Sequence, residues 1–155
     1  MSEMQTMNEL PIEILVVDDN DDDVLIIQEA FTQEKLVNVL QVVRDGEEAL
    51  AYLRRQGKYH DAGQPGLVLL DINMPKKDGL EVLKEIKQDA SLRHIPVVML
   101  TTSSRDEDVI RSYSGGACSY ITKPVMVEKL REVLKQFELY WALVSKIPAR
   151  RRETT

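Results

Sequence analysis

The 155-residue chain has few of the residues from which disulfide, thiolate-metal and nucleic-acid sites are built. With one cysteine and two histidines, neither a disulfide framework nor a cysteine- or histidine-ligated metal is expected. Basic residues are in the minority, and the net charge of −6 argues against a nucleic-acid partner. No apolar run approaches the roughly 18 residues of a membrane span, and residues 1–10 lack the features of a secretory signal. We therefore expect a cytoplasmic protein with no nucleic-acid or membrane partner.

Short apolar runs alternate along the chain with segments of helical spacing. The runs predict strands at Glu13–Val17, Val39–Val43, Leu67–Leu70, Pro96–Leu100 and Cys118–Ile121. Helices are predicted at about Asp22–Lys35, Glu47–Arg55, Leu80–Gln88, Arg105–Tyr113 and Val125–Ser145. Five βα units of this kind predict an α/β fold, a doubly wound parallel sheet with helices on both faces. We expect one domain at residues 11–145, an arm at 1–10 and a disordered basic tail at 146–155.

Polar and charged side chains follow the predicted strands at the points where the strands end. They are Asp18 and Asp19 after the first strand, Asp71 after the third, Thr101 after the fourth and Lys123 after the fifth. Ligands of open α/β sheets bind beyond the carboxyl ends of the strands, so these side chains are expected to form one cluster. Solvated caps at the strand ends could explain any single aspartate, because aspartate is common in turns, but they do not explain all five positions together.

Three neighbouring carboxylates repel one another unless a positive group compensates them. Mg²⁺ is the natural candidate, because it prefers oxygen ligands and combines one or two carboxylates with phosphate oxygens. A carboxylate can also attack phosphorus and form an acyl phosphate, while a lysine stabilises charge on the transferred group. The cluster therefore predicts Mg²⁺-dependent phosphoryl chemistry.

Four segments of the chain resemble the motifs of bacterial response-regulator receiver domains, the CheY-like family, in their order and spacing. They are VVDDN (Val16–Asn20), LLDINMPKKDG (Leu69–Gly79), VVMLTTSS (Val97–Ser104) and SYITKP (Ser119–Pro124). The resemblance extends from about Ile12 to Phe137. It implies a flavodoxin-like fold with strand order 2-1-3-4-5 and a phosphorelay role in a two-component system.

The resemblance also implies roles for residues of the cluster. Asp71 looks like the phosphoacceptor, which receives the phosphoryl group from a phosphohistidine of a sensor histidine kinase. Asp18, Asp19, Asp71 and the backbone carbonyl of Asn73 look like the Mg²⁺ ligands, with Asp19 direct and Asp18 through water. In this family the protein catalyses only its own phosphorylation and slow dephosphorylation, so it is not expected to be an enzyme in the usual sense.

The same resemblance implies which residues respond to the phosphoryl group. Thr101, Thr102 and Lys123 look like its binding residues, and Thr101 with Tyr120 looks like the switch pair of the family. The Lys123–Pro124 bond is expected to be cis. Asn73 and Ser103 match positions that tune dephosphorylation.

The last predicted helix carries an apolar extension. Its apolar residues are spaced by three and four along Val127–Val144, as in a seam that packs a second helix. Residues Phe137–Val144 are apolar nearly all round the helix, which requires burial on more than one side. We therefore expect a homodimer through the C-terminal contact residues Phe137, Tyr140, Trp141 and Val144. This extension and the long loop Gly57–Gly66 resemble the small response regulators paired with phytochrome histidine kinases.

The leading hypothesis is a single-domain response regulator in which phosphorylation of Asp71 switches protein contacts or dimerisation; no separate output domain is expected. The first alternative is a constitutive dimeric scaffold that works without phosphorylation. The second is a phosphatase of the haloacid dehalogenase type. Such a phosphatase needs an acid/base carboxylate two residues after the nucleophile, where this chain has Asn73.

Overall fold

The computed structural model describes residues 12–33, 38–102, 119–133 and 135–136. Several sequence predictions lie outside these residues and are not addressed by the structure. They are the arm at 1–10, Ser103, the helix at Arg105–Tyr113, Cys118, the contact residues Phe137, Tyr140, Trp141 and Val144, and the tail at 146–155.

Five parallel strands form one sheet. They are β1 (Ile12–Val17), β2 (Asn38–Val43), β3 (Leu67–Asp71), β4 (Val97–Thr101) and β5 (Ser119–Thr122). Their order across the sheet is β2-β1-β3-β4-β5, which confirms the predicted architecture. The register brings the ends of neighbouring strands together: Val17, the last residue of β1, pairs with Leu70 one residue before the end of β3, and Thr101 pairs with Thr122. The carboxyl ends of the strands therefore meet at one edge.

The helices begin at polar residues that cap them. They are α1 (Asp21–Gln33), α2 (Gly46–Leu53) and α3 (Gly79–Gln88), with a 3₁₀ turn at Gly57–Tyr59. Asp45 accepts a hydrogen bond from the backbone of Glu48 at the start of α2, and Asp78 accepts one from Glu81 at the start of α3. Residues 127–133 and 135–136 are also helical. Among the described residues, no helix is both long and apolar enough to span a bilayer.

Alternate residues of each strand enter two separate apolar cores, one on each face of the sheet. Leu15 and Val17 of β1 pack on the face covered by α2 and α3. Ile14 and Val16 pack on the opposite face, with α1 and with Leu130 of the C-terminal helical segment. Burial on both faces explains why the central strands β3 and β4 are nearly continuously apolar rather than alternating. All five residues of β3 and of β4 are buried.

The structure differs from the sequence predictions mainly at the ends of elements. Thr101, expected just after the fourth strand, is the last residue of β4, because it pairs with Thr122 of β5. The loop at Gly57–Gly66 contains the short 3₁₀ turn. There the ring of Tyr59 lies 5.0 Å from that of Tyr52, centroid to centroid, which anchors the loop on α2.

Candidate functional site

Polar burial is concentrated at the carboxyl edge of the sheet. Among the described residues, the buried polar or charged side chains are Asp18, Asp71 and Thr101, at 0%, 2% and 0% exposure. Each lies at the end of a strand or directly after it. Burial of a charged group is unfavourable unless other groups compensate it, so this concentration marks the candidate site.

Three carboxylates at this edge can share one metal ion. Asp18, Asp19 and Asp71 each offer an oxygen, and these oxygens lie within 4.8 Å of one another. The Oδ2 atom of Asp18 is buried and accepts no hydrogen bond from the described residues. Asp19 is exposed, so the group opens to solvent on one side. An all-oxygen donor set with a buried oxygen that accepts no hydrogen bond fits a hard divalent cation.

The ammonium group of Lys123 lies among three carboxylates. Its Nζ atom is 3.1 Å from Asp71 Oδ1, 3.4 Å from Asp18 Oδ2 and 2.8 Å from Asp23 Oδ2. The first two contacts join residues that the sequence predicts for the site. Asp23, in the first turn of α1, is the one that sequence reasoning missed. Its nearest signal is the run of three acidic residues at 21–23, a pattern that by itself indicates a helix N-terminus and names no partner.

The site contains more acidic than basic side chains, and this imbalance shifts the pKa values of both kinds of group. Burial, and then the negative charge of Asp18, raise the pKa of Asp71 to about 6. Burial also raises the pKa of Asp18. Burial alone would lower the pKa of Lys123, but its contacts with Asp23, Asp71 and Asp18 outweigh this effect and raise it. Lys123 is therefore protonated, and a further positive charge beside the carboxylates would stabilise their ionised forms.

Backbone contacts fix where the two buried carboxylates point. The amide of Asn20 donates to Asp18 Oδ1 at 2.9 Å, and the amide of Asn73 donates to Asp71 Oδ1 at 3.3 Å. The amide of Lys123 donates to the carbonyl of Thr101 at 2.6 Å, which links the ends of β4 and β5. The Lys123–Pro124 peptide bond is cis.

The other residues predicted for the site lie around it. Asn73 is exposed and follows β3 by two residues, Thr102 is exposed directly after β4, and Tyr120 is half-buried in β5, packed on the core that α2 and α3 cover.

Two glycines allow the loop after Asp71 to fold closely against its surroundings. A Cβ atom at Gly79 would lie 2.1 Å from the carbonyl oxygen of Asp71, far inside contact distance. A Cβ atom at Gly46 would lie 2.1 Å from the carbonyl oxygen of Lys77. The amide of Gly79 also donates to the carbonyl of Ile72 at 2.8 Å. The contacts of Gly79 thus bring the two ends of the loop that carries Asn73 together, and the contact of Gly46 packs the later part of the loop against the start of α2.

A buried, metal-capable aspartate beside a lysine at the carboxyl edge of a 2-1-3-4-5 sheet agrees with the comparison against protein families. Residues 14–135 match the family described as the response regulator receiver domain. The chain belongs to this family. The receiver domain therefore occupies most of the chain and gives it a phosphoacceptor signalling role in a two-component system.

Relatives of this receiver domain include several phytochrome response regulators. Response regulator Rcp1 of Synechocystis sp. is 42% identical over 139 residues, which cover 90% of this chain and 95% of Rcp1. The bacteriophytochrome response regulator RtBRR is 40% identical, with a TM-score of 0.75 over 81% of this chain and 77% of that structure. The phosphorylated cyanobacterial phytochrome response regulator RcpA is 45% identical, with a TM-score of 0.71 over 85% of this chain and 94% of that structure.

The metal expectation is supported in its general form. A Mn²⁺-bound structure of a response regulator named Rcp1 is 43% identical, with a TM-score of 0.70 over 84% of this chain and 94% of that structure. Together with the carboxylate group of this receiver domain, it supports a divalent metal at the acidic edge.

Proposed function

We propose that Asp71 is the residue that accepts the phosphoryl group. The observation that carries this proposal is its position: it is 2% exposed, beside the metal-capable carboxylates and 3.1 Å from the Lys123 ammonium group. A carboxylate placed there faces both a cation site and a protonated amine. These are the two kinds of group that stabilise a transferring phosphoryl group.

The reaction is the transfer of a phosphoryl group from a phosphohistidine of a sensor histidine kinase. An oxygen of Asp71 forms a bond to phosphorus while the bond between phosphorus and the imidazole nitrogen breaks. The nitrogen keeps the electron pair of that bond and the imidazole returns to its unphosphorylated form. Lys123 is protonated throughout, because its contacts raise its pKa, and it offers N–H donors to the phosphoryl oxygens.

Mg²⁺ is the proposed metal, held by Asp18, Asp19, Asp71 and the backbone carbonyl of Asn73. The ion supplies positive charge that offsets the carboxylates and the incoming phosphoryl oxygens. The Oδ2 atom of Asp18, which accepts no hydrogen bond from the described residues, supports this assignment, as does the all-oxygen chemistry of the group. Asn73 and Ser103 are the proposed residues that tune dephosphorylation.

The proposed output is a change in protein contacts. Thr101 and Thr102 close on the phosphoryl group, and Tyr120 turns toward the space that Thr101 leaves. Such a switch works only if the phosphoryl group favours one of two arrangements over the other. Homodimerisation through Phe137, Tyr140, Trp141 and Val144 is the proposed readout, and a phytochrome histidine kinase is the proposed donor because several relatives are phytochrome response regulators. The cytoplasmic location expected from the sequence remains a prediction.

The experiment compares the full-length chain with its Asp71→Asn variant, incubated with Mg²⁺ and acetyl phosphate. Mass spectrometry of the intact wild type should show the mass of one phosphoryl group, and Asp71→Asn should show none. An equal mass gain in both proteins would remove Asp71 from its proposed role. Glu85→Gln, which changes an acidic side chain outside the site, is the matched control and should be phosphorylated like the wild type.

Light scattering on the same samples tests the output. A change in mass or shape in phosphorylated wild type, absent from Asp71→Asn, would support switched dimerisation. A constant dimer in every sample would favour the constitutive scaffold, and a constant monomer would contradict the proposed role of the C-terminal contact residues.

A further inference from the structure

The lysine of the site has a closer partner than the phosphoacceptor. Lys123 Nζ lies 2.8 Å from Asp23 Oδ2, against 3.1 Å to Asp71 Oδ1 and 3.4 Å to Asp18 Oδ2. The Asp23 side chain is 15% exposed, so this contact is largely shielded from water. Asp23 lies outside the group of carboxylates that can share a metal ion. Among the described residues its side chain pairs with Lys123, whereas the Asp18 and Asp71 side chains also accept backbone hydrogen bonds.

Asp23 is also held rigidly. Its backbone amide donates to Asn20 Oδ1 at 3.0 Å, which fixes the first turn of α1. The next residue, Val24, is 5% exposed, and Ile27 one turn later is 0% exposed, so both bury that helix in the core. The backbone that carries the short Asp23 side chain is therefore fixed in position. The ammonium group of a lysine, in contrast, lies at the end of four flexible methylene groups.

The ammonium group has three N–H donors, and a bond to Asp23 uses one of them. The remaining donors can follow Asp71 as it changes from a carboxylate to an acyl phosphate. A reacting group that is already oriented lowers the entropy that the transition state must lose. The contact to Asp71 changes during the reaction, but the contact to Asp23 need not change.

We propose that Asp23 is a positioning residue for phosphoryl transfer, which holds the Lys123 ammonium group in place while Asp71 is phosphorylated. The inference rests on the proposed roles of Asp71 and Lys123. It adds to them a fourth carboxylate, contributed by α1, that acts only through the lysine.

The test measures phosphorylation of the full-length chain by acetyl phosphate at saturating Mg²⁺. An oxygen of Asp71 bonds to phosphorus as the bond from phosphorus to the acetate oxygen breaks, and acetate leaves with the electron pair. Asp23→Ala should lower the maximal rate about tenfold, the scale of one charge-assisted hydrogen bond. Asp23→Asn keeps an oxygen acceptor for Lys123 and should recover at least about a third of the wild-type rate.

Asp22→Ala is the matched control, because it removes the same charge from the neighbouring, exposed residue of the same helical turn. Its rate should stay within about twofold of the wild type. A second measurement follows the ¹⁵N signal of the Lys123 ammonium group, which hydrogen bonding protects from exchange with water. That signal should broaden or vanish in Asp23→Ala while the backbone amide spectrum stays that of the folded wild type.

The outcomes separate this inference from the proposed function. If the wild type is phosphorylated on Asp71 and Asp23→Ala reacts at the wild-type rate, only the role of Asp23 is overturned. Equal losses in Asp22→Ala and Asp23→Ala would also overturn it, because they would reveal an effect of net charge. If the wild type is phosphorylated at another residue, the proposed function itself fails.

Discussion

Two clusters of ion pairs contain the same kinds of group but lie in different surroundings. In the strand-end cluster, Lys123 contacts Asp18, Asp23 and Asp71, and all four side chains are at most 15% exposed. In the surface cluster, Arg54 joins α2 to α3 through Glu85 at 3.3 Å and Asp89 at 3.6 Å, and Lys77 also contacts Glu85. The side chains of the surface cluster are 26–33% exposed.

The pKa values of carboxylates in the two clusters shift in opposite directions. The hydrogen bond from Lys77 lowers the pKa of Glu85, whereas burial raises the pKa of Asp71 to about 6. The surface cluster has two acids for two bases, but the strand-end cluster has three acids around one lysine, with Asp19 beside them. Because its charges balance and water reaches its side chains, the surface cluster serves as a structural contact. In the strand-end cluster, the excess of carboxylates and their burial make the ionised state unfavourable without a further cation. The cluster is therefore suited to bind one.

The largest difference should appear when the lysine of each cluster is replaced by methionine. Lys123→Met leaves buried carboxylates without their cation and should lower the free energy of unfolding by about 3 kcal/mol at pH 7.5 in EDTA. Lys77→Met removes a partly exposed contact and should cost less than about 1 kcal/mol. Urea unfolding of the two variants measures both values. Equal losses would mean that burial does not distinguish the two clusters.

Removal of one acid should have opposite signs in the two clusters. Asp71 has a pKa of about 6 when folded against an ordinary value of 3.8, so the folded state holds its proton more tightly than the unfolded chain. Its contribution to stability therefore falls as pH rises from about 4 to 6 and stays low above that range. Without metal at pH 7, Asp71→Asn should raise the free energy of unfolding by about 2 kcal/mol.

Glu85→Gln should instead lower the free energy of unfolding at pH 7 by less than about 1 kcal/mol, because Glu85 is stabilised by its basic partners. Urea unfolding across pH measures both variants. The gap between Asp71→Asn and wild type should close as pH falls toward 4. A gap that does not change with pH would contradict the raised pKa of Asp71.

The smallest effect concerns the energy of a single pair in the surface cluster. A double-mutant cycle of Arg54→Ala and Glu85→Ala should give a coupling energy of about 0.5 kcal/mol, which about 0.5 M NaCl should abolish. The same cycle for Lys123→Ala and Asp23→Ala should give a larger coupling that salt changes little, because water is largely excluded there. A coupling between Lys123 and Asp23 that salt weakens as strongly as the Arg54–Glu85 coupling would contradict the exclusion of water from the strand-end cluster.

The sequence was sufficient to predict the strands and most of the strand-end cluster. The central strands β3 and β4 are nearly continuous apolar runs, and residues at the ends of parallel strands must meet at one edge of the sheet. The sequence alone therefore groups Asp18, Asp71, Thr101 and Lys123 at that edge.

The part played by Asp23 could not be predicted in this way, because it depends on where α1 begins. The helix starts at Asp21, where the hydrogen bond from the Asp23 amide to Asn20 fixes its first turn, rather than near Asp22. Each residue of a helix is rotated by about 100° from the last, so a shift of one residue would turn Asp22 or Val24 toward the lysine instead. Contacts across the loop, such as Tyr59 on Tyr52, are likewise set by tertiary packing that local spacing does not encode.

The close packing at Gly79 separates the chemistry of the site from its shape. A single methyl group there would press on the carbonyl oxygen of Asp71, only 2.1 Å away, while every charged atom of the site kept its identity. We therefore expect Gly79→Ala to displace the Asp71 backbone by steric means alone, at a position that carries no charge. For a designer who wants an inert copy with the native pattern of charges, residue 79 is a more discriminating target than the phosphoacceptor.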